Sequence, residues 1–324
     1  MPSLSSIKEP IKDDLNNFEP YFRSLMKSKA PLLNIITNYI IKRKGKQMRP
    51  MLVFLTSRLF GEVNQSSYNA ATLIELMHTA TLIHDDVVDN SYQRRGMFSI
   101  NALWKNKIAV LVGDYLLSRG LLVAVDNNEF ELLKVVSEAV REMSEGELLQ
   151  IEKARKLDIT EDVYFDIIQK KTASLIAACA KAGATSVKAN EIQLAKIKDF
   201  GMKVGIAFQI RDDIFDYTNT GNIGKPSGND IREKKMTLPL IYVLNNSSSG
   251  EKRKIINIVK KKSEDKNRVD KLVKHVIDKG GIEYASKVMD TYKNEALNIL
   301  SEMPQNEANK ALVDFVNYTT IRNK

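Results

Sequence analysis

The stretch that decides the fold is AATLIELMHTATLIHDDVVD, residues 70–89. Its apolar residues recur at intervals of three and four, which is the spacing of one face of an α-helix. No part of the chain shows a sustained strand alternation with hairpin turns, and no repeat has a fixed period. The sequence therefore predicts one all-α domain over residues 1–324. Other segments with the helical pattern are residues 50–60, 130–154, 161–184 and 191–217.

Composition is typical of a globular protein of the cytoplasm. The 324 residues are 43% hydrophobic, which is enough to bury a substantial core. The charged opening residues do not resemble a signal peptide, and the single cysteine, Cys179, fits a reducing compartment. The most apolar window, residues 108–125, is interrupted by Asp114 and Arg119. We therefore expect a buried core helix there, not a membrane span.

The net charge of +9 leaves three classes of partner open: nucleic acid, a membrane surface or an anionic small substrate. Much of the surplus lies in residues 251–262 and 266–276, where apolar residues recur at helical spacing. These lysines are therefore expected on the outer faces of amphipathic helices. No basic stripe with interleaved aromatic residues is visible, so we expect no nucleic-acid partner.

The helix predicted over residues 70–89 ends in a concentration of negative charge. Asp85 and Asp89 are four residues apart and project from one helical face, while Asp86 points about 100° away. Like charges at this spacing repel, so the pair is explained best by a divalent cation between the carboxylates. Ligation by a few carboxylates suits Mg²⁺, which completes its coordination with water and substrate phosphates. Taken alone, the motif is also compatible with a solvated helix end.

A second helical segment repeats the arrangement. FQIRDDIFDY, residues 208–217, places Asp212, Asp213 and Asp216 at the same spacing behind apolar residues. Two facing acidic pairs could hold several Mg²⁺ ions, which implies a substrate that carries a diphosphate. Basic residues near these motifs are suited to bind phosphate oxygens. They are Lys46, Arg49, Arg94, Arg95, Lys225 and Lys235.

Seven motifs in order resemble the trans-isoprenyl diphosphate synthases, the polyprenyl synthetase family, of the long-chain octaprenyl, solanesyl or heptaprenyl type. The motifs are GKQMRP (45–50), DDVVD with RRG (85–96), GDYLL (113–117), EGELLQ (145–150), KTA (171–173), FQIRDDIFD (208–216) and GKPSGND (224–230). The resemblance spans nearly the whole chain. It implies a bundle of antiparallel helices around a deep central cavity, in a homodimer that condenses isopentenyl diphosphate with an allylic diphosphate.

The resemblance also implies roles for the matching residues. The diphosphate of isopentenyl diphosphate would be held by Lys46, Arg49, His78 and Arg95. Mg²⁺ would be bound by Asp85 and Asp89 from one wall and by Asp212 from the other, with Asp86, Asp213 and Asp216 close by. The departing allylic diphosphate would be neutralised by Arg94, Lys171, Lys225 and Lys235. Thr172 and Gln209 would lie near the allylic cation. After condensation a proton is lost to restore a double bond, and the released diphosphate would accept that proton.

Product length is predicted from the residues before the first aspartate. Ala80 and Thr81 are small and leave room for a growing chain, which favours an all-trans product of about C30 to C50, such as a quinone side chain. A larger residue deeper down, such as Met77, would instead give a farnesyl or geranylgeranyl diphosphate synthase. Membrane association is expected to be transient at most, for product release.

Two other classes of helical protein share some of these features. One is a terpenoid cyclase or head-to-head synthase, which would need no acceptor site. The other is a non-catalytic helical subunit, which would tend to lose aspartates. The complete acidic motifs argue against both.

Overall fold

The computed structural model describes residues 2–42, 45–94, 96–156, 159–218 and 228–321, apart from the side chains at 155, 156 and 321. Within these ranges the chain is helical nearly throughout. A short antiparallel hairpin pairs Gln93–Arg94 with Met97–Phe98. The predicted all-α class is confirmed. That the whole chain forms one domain stays a prediction.

The elements follow the predicted helical pattern closely. The helices are α1 (Leu4–Lys8), α2 (Lys12–Leu25), α3 (Pro31–Lys42), α4 (Met48–Phe60), α5 (Gln65–Val88), α6 (Ile100–Asp126), α7 (Phe130–Lys156), α8 (Glu161–Ile168), α9 (Ser174–Ser186), α10 (Glu191–Thr218), α11 (Asn229–Arg232), α12 (Leu238–Asn245), α13 (Ser249–Lys261), α14 (Lys266–Asp278), α15 (Gly281–Ser301) and α16 (Glu307–Ile321). A 3₁₀ turn (Glu9–Ile11) joins α1 to α2, and a π-helical turn (Gln169–Ala173) joins α8 to α9.

Helix α5 begins at a capping box and ends at the first acidic motif. The side chain of Asn64 accepts from the Ser67 backbone N–H at 3.2 Å, and the Ser67 hydroxyl accepts from the Asn64 N–H at 3.3 Å. This exchange satisfies two N–H groups that have no partner within the helix. At the other end Asp89 is the C-cap residue. The three aspartates of the motif therefore occupy the last turn of α5.

Helices α9 and α10 approach each other closely, and this contact positions the site. A Cβ atom at Gly205 of α10 would lie 2.5 Å from the Cα of Ala173, and one at Gly201 would lie 2.6 Å from the Cα of Ala177. Only glycine permits this approach. The π-helical turn that ends at Ala173 is thereby held against α10.

Helix α6 is long and apolar enough, by length and composition, to cross a membrane, which no other helix in the described ranges is. One face packs against α5, where Ala109, Val112 and Leu116 are buried. The opposite face is exposed, so the expectation of a buried core helix is correct for one side only. Its exposed apolar residues are Leu103, Val110, Leu111, Leu121, Leu122 and Val125.

The basic C-terminal helices are amphipathic as predicted. Ile255 and Val259 of α13 are buried, and so are Val269 and Leu272 of α14. The lysines between them are mostly exposed. The positive charge of this region therefore lies on the solvent-exposed surface of packed helices.

Candidate active site

A cavity of about 920 Å³ lies where the ends of several helices meet. This is within the size range of small-molecule sites in proteins. Its walls come from the end of α5, the second half of α7, α8, the π-helical turn, α10 and the segment from α11 to α12. Polar residues that line it include Asp89, Glu147, Gln150, Lys171, Thr172, Gln209, Asp213, Asp230 and Lys235.

The first acidic motif lies at the negative end of a helix. The C-terminus of α5 carries partial negative charge, so carboxylates in its last turn are unfavourable without a cation. Burial, with the nearby charge of Glu147, raises the pKa of Asp85 to about 6. In the described ranges no hydrogen bond or ion pair is formed by the carboxylates of Asp85 or Asp89. Both are available to a metal ion.

Asp86 faces the other way, as its offset around the helix predicts. It is 2% exposed, and its carboxylate accepts from the Arg94 Nε at 2.8 Å. The Asn101 side chain donates to the backbone oxygen of Asp86 at 3.1 Å. Arg94 is thus tied to the end of α5. Whether Asp86 also contacts a metal, and Arg94 a substrate, stays a prediction.

The second motif lies in the last two turns of α10. Asp212 is exposed, whereas Asp213 is 4% exposed and bonded inside the protein. Asp216 accepts from the backbone N–H groups of Asn229 at 3.0 Å and Asp230 at 3.1 Å. It thereby fixes the start of α11. The three aspartates share a spacing, but their surroundings differ.

Two predicted cations line the cavity, each beside acidic groups. Lys171 forms an ion pair with Glu147 and donates to Gln150 at 3.3 Å. Lys235 donates to Glu233 at 2.5 Å and lies 3.9 Å from Asp230. Lys225 and Arg95, also predicted to bind diphosphate, lie outside the described residues.

Thr172 and Gln209 meet across the close contact between the π-helical turn and α10. The Thr172 hydroxyl donates to the Gln209 side-chain oxygen at 2.8 Å, and both residues line the cavity. The sequence motifs containing them lie 37 residues apart, and the structure joins them.

The residues predicted for the acceptor lie around the start of α4 and the middle of α5. Arg49 donates to Glu75 at 3.0 Å, and Glu75 is one turn before His78 on α5. Lys46 donates to the Tyr318 hydroxyl at 3.0 Å and lies over its ring. In the described ranges these cations do not line the 920 Å³ cavity, so they form a separate flank of the bundle.

Comparison with known proteins decides the family. A model of the polyprenyl synthetase family matches residues 30–276, which is more than half of the chain. The chain belongs to the polyprenyl synthetase family. It is therefore a prenyltransferase, a trans-prenyl diphosphate synthase, which confirms the resemblance seen in the motifs.

Two curated relatives differ in product class. The chain is 35% identical over 312 residues to an all-trans-nonaprenyl-diphosphate synthase (geranyl-diphosphate specific) of Rhodobacter capsulatus, covering 95% of this chain and 94% of the relative. It is also 35% identical over 288 residues to a short chain isoprenyl diphosphate synthase of Methanothermobacter thermautotrophicus, covering 86% and 88%. Long-chain and short-chain enzymes are thus both among its relatives.

Solved structures match the whole fold. A decaprenyl diphosphate synthase from Rhodobacter capsulatus superposes with a TM-score of 0.93 at 32% identity, covering 99% of this chain and 100% of that one. A polyprenyl synthase from Caulobacter crescentus, complexed with calcium and isoprenyl diphosphate, gives a TM-score of 0.90 at 31% identity, covering 100% and 99%.

The donor set of this polyprenyl synthetase fits a metal that is shared with its substrate. In the described ranges, no three His, Cys, Asp or Glu side chains form a group that could hold an ion alone. Asp85, Asp89 and Asp212 offer carboxylate oxygens that are wholly or partly exposed. Oxygen ligands in small number are typical of Mg²⁺ sites in which a phosphate completes the coordination.

Several residues at the site were not selected from the sequence. Glu147 and Gln150 lie in the EGELLQ motif, and their spacing of three on a helix could have revealed them. Asp230 lies in GKPSGND, and burial together with the charges of Asp216 and Asp213 raises its pKa to about 7. Tyr164 and Lys260 line the cavity without any motif to mark them.

Proposed function

We propose that this chain is a Mg²⁺-dependent synthase that condenses isopentenyl diphosphate with an allylic diphosphate, head to tail. The observation that carries the proposal is the pair of acidic motifs at two helix C-termini beside one cavity. Helix dipole and charge repulsion both disfavour carboxylates there unless cations bind. A diphosphate would supply the remaining oxygen ligands.

Each wall of the cavity has a task in this reaction. Asp85, Asp89 and Asp212 would hold Mg²⁺, which supplies positive charge for the departing diphosphate when bound. Lys171 and Lys235 would contact the same diphosphate directly, since both line the cavity. The side chains of Ile167 and Ile168 on α8 keep that part of the wall apolar and exclude water from the allylic cation.

The acceptor would bind at the flank formed by Lys46, Arg49 and His78. Glu75 and Tyr318 hold the two cations in place in the free protein. Such partners orient long side chains before the substrate arrives. Substrate phosphate would then exchange for, or add to, these contacts.

A product of about C30 to C50 is proposed from the small side chain of Ala80 together with the long-chain relatives. Ala80 is fully buried between α5 and α6, among Leu76, Ala109 and Val112. A long chain would therefore have to run along the contact between these two helices. The short-chain relative keeps a farnesyl- or geranylgeranyl-type product as the second candidate.

A homodimer is proposed from the outer face of α6, whose apolar residues recur at helical spacing while exposed. A second copy of this chain is the partner that we favour, because the outer face of α6 exposes several large apolar residues along the helix, with Asp114 and Ser118 exposed between them. The free, fully buried thiol of Cys179 supports placing the protein in the reducing cytoplasm.

The test uses purified protein with isopentenyl diphosphate and geranyl or farnesyl diphosphate. We expect extractable long prenyl diphosphates with Mg²⁺ and none after chelation. Products of C15 or C20 alone would select the short-chain alternative. A chain that consumes neither substrate at saturating Mg²⁺ would refute the proposal.

A further inference from the structure

Asp213 is the buried aspartate of the second motif, and both oxygens of its carboxylate are bonded inside the protein. Its Oδ1 accepts from the Gln209 Nε2 at 3.1 Å. Its Oδ2 accepts from the Tyr164 hydroxyl at 2.7 Å and from the backbone N–H of Leu238 at 3.2 Å. These donors belong to α10, α8 and the first residue of α12. Asp213 thus joins three helices at one buried point.

This arrangement fixes the direction of a hydrogen-bond chain. An ionised carboxylate only accepts, so Gln209 turns its NH₂ group towards Asp213. The Gln209 oxygen then faces the other way and accepts from the Thr172 hydroxyl at 2.8 Å. Thr172 has a single hydroxyl proton and uses it in this bond. The lone pairs that remain on its oxygen are left for the cavity, which Thr172 lines.

We propose that Tyr164 and Asp213 are positioning residues that set this direction, so that Thr172 presents an acceptor oxygen to the allylic cation. The inference rests on the proposed function, in which Thr172 lies near that cation. An oxygen lone pair stabilises developing positive charge, whereas a hydroxyl proton pointing at it would oppose it. Asp213 therefore acts through Gln209 and Thr172, not as a metal ligand.

Tyr164 supplies the shortest of the three bonds to Asp213. Its side chain is 4% exposed, and burial together with the Asp213 charge raises its pKa well above the usual range. The hydroxyl is therefore always a donor here. Hydrogen bonds of this kind are stronger in a buried site than at the surface. Without it, that oxygen of Asp213 keeps only the backbone donor of Leu238, and the carboxylate is held less firmly.

Asp213→Asn tests the direction of the chain. Leu238 N–H can only donate, so the new amide would turn its oxygen to Leu238 and its NH₂ to Gln209. Gln209 would then turn over, and Thr172 would point its proton into the cavity. We expect kcat to fall about 10- to 100-fold. The KM for both diphosphates and the Mg²⁺ concentration for half-maximal rate should stay within about twofold.

Tyr164→Phe and Tyr217→Phe form a matched pair. Tyr217 is as buried as Tyr164, but its hydroxyl bonds to the Thr237 hydroxyl at 2.5 Å. It takes no part in the hydrogen bonds that connect Tyr164, Asp213, Gln209 and Thr172. Both variants lose one buried hydroxyl and should lose similar stability in urea unfolding. Only Tyr164→Phe should lower kcat, by about tenfold. Equal loss of kcat in both variants would reduce Tyr164 to a structural residue and overturn the inference.

Metal binding separates the remaining outcomes. Calorimetry with Mg²⁺ and an unreactive thio-analogue of the allylic diphosphate should give the same affinity for wild type and Asp213→Asn. Affinity weakened more than about tenfold would make Asp213 a metal ligand and overturn the inference. If the wild type is active and Asp213→Asn keeps full activity, the inference is refuted but the proposed function stands. An inactive wild type refutes the proposed function itself.

Discussion

At the scale of single residues, aspartates with the same spacing in the sequence have different surroundings in the structure. Asp85 and Asp89 are without protein partners in the described ranges, Asp86 pairs with Arg94, and Asp213 is enclosed by three donors. The spacing in the sequence predicted acidic motifs that bind metal. It could not separate these environments, because the partners come from elements that are distant in sequence.

The first prediction concerns Asp85. Its pKa is raised to about 6, so the ionised form that predominates at neutral pH is disfavoured in the folded protein. Asp85→Asn removes that charge, and we expect the metal-free variant to unfold at the same temperature as wild type or higher. Turnover should fall by orders of magnitude. Thermal unfolding and steady-state rates at saturating Mg²⁺ are the measurements. A near-normal rate would contradict the two-wall metal site.

At the scale of elements, periodicity located the helices within a few residues. It could not show the π-helical turn at 169–173, which interrupts the predicted helix over residues 161–184. That turn packs against α10 at Gly205, and a tertiary contact of this kind is invisible in local spacing. Hydrophobic periodicity also gives no sign of the lysines in left-handed conformation, such as Lys188 and Lys234, because lysine rarely adopts positive φ.

Lys188 gives an element-scale prediction. It follows α9 with a φ of 59°, and its neighbour Ala189 closes the helix end by donating to Ala184 O at 3.1 Å. Glycine adopts this conformation without strain, so Lys188→Gly should raise the free energy of unfolding by about 1 kcal/mol. Lys181→Gly, within the same helix, should lower it by about 1 kcal/mol. Urea unfolding of both variants checks this. A loss at both positions would contradict it.

The contact between α5 and α6 carries the prediction on product length. Ala80 is 0% exposed, so a ring added there enters packed apolar surroundings. If the product runs along this contact, Ala80→Phe should block it and shift the product to C15 or C20. Overpacking typically costs about 1–3 kcal/mol, so folding must be verified by circular dichroism. A folded, active Ala80→Phe enzyme with unchanged product length would show that the chain runs elsewhere.

At the scale of the whole molecule, the site is assembled from parts that the sequence holds far apart. The cavity is lined by residues from Asp89 to Lys260, which come from elements that are distant in the sequence. Motif order predicted which residues would meet. It could not predict that the cations at Lys46 and Arg49 would form a flank of their own, because that depends on the contact of Lys46 with α16.

The last prediction concerns the assembly of two chains. Leu111 and Leu122 on the outer face of α6 are 56% and 46% exposed, and a second copy of α6 would cover them. Lysine at both positions would bury two unpaired charges in that interface, which is costly. We therefore expect wild type to sediment as a dimer and Leu111→Lys/Leu122→Lys as a monomer. Ile192→Lys, at an apolar residue 71% exposed on α10, is the control and should stay dimeric. A double variant that remains dimeric would place the interface on another surface.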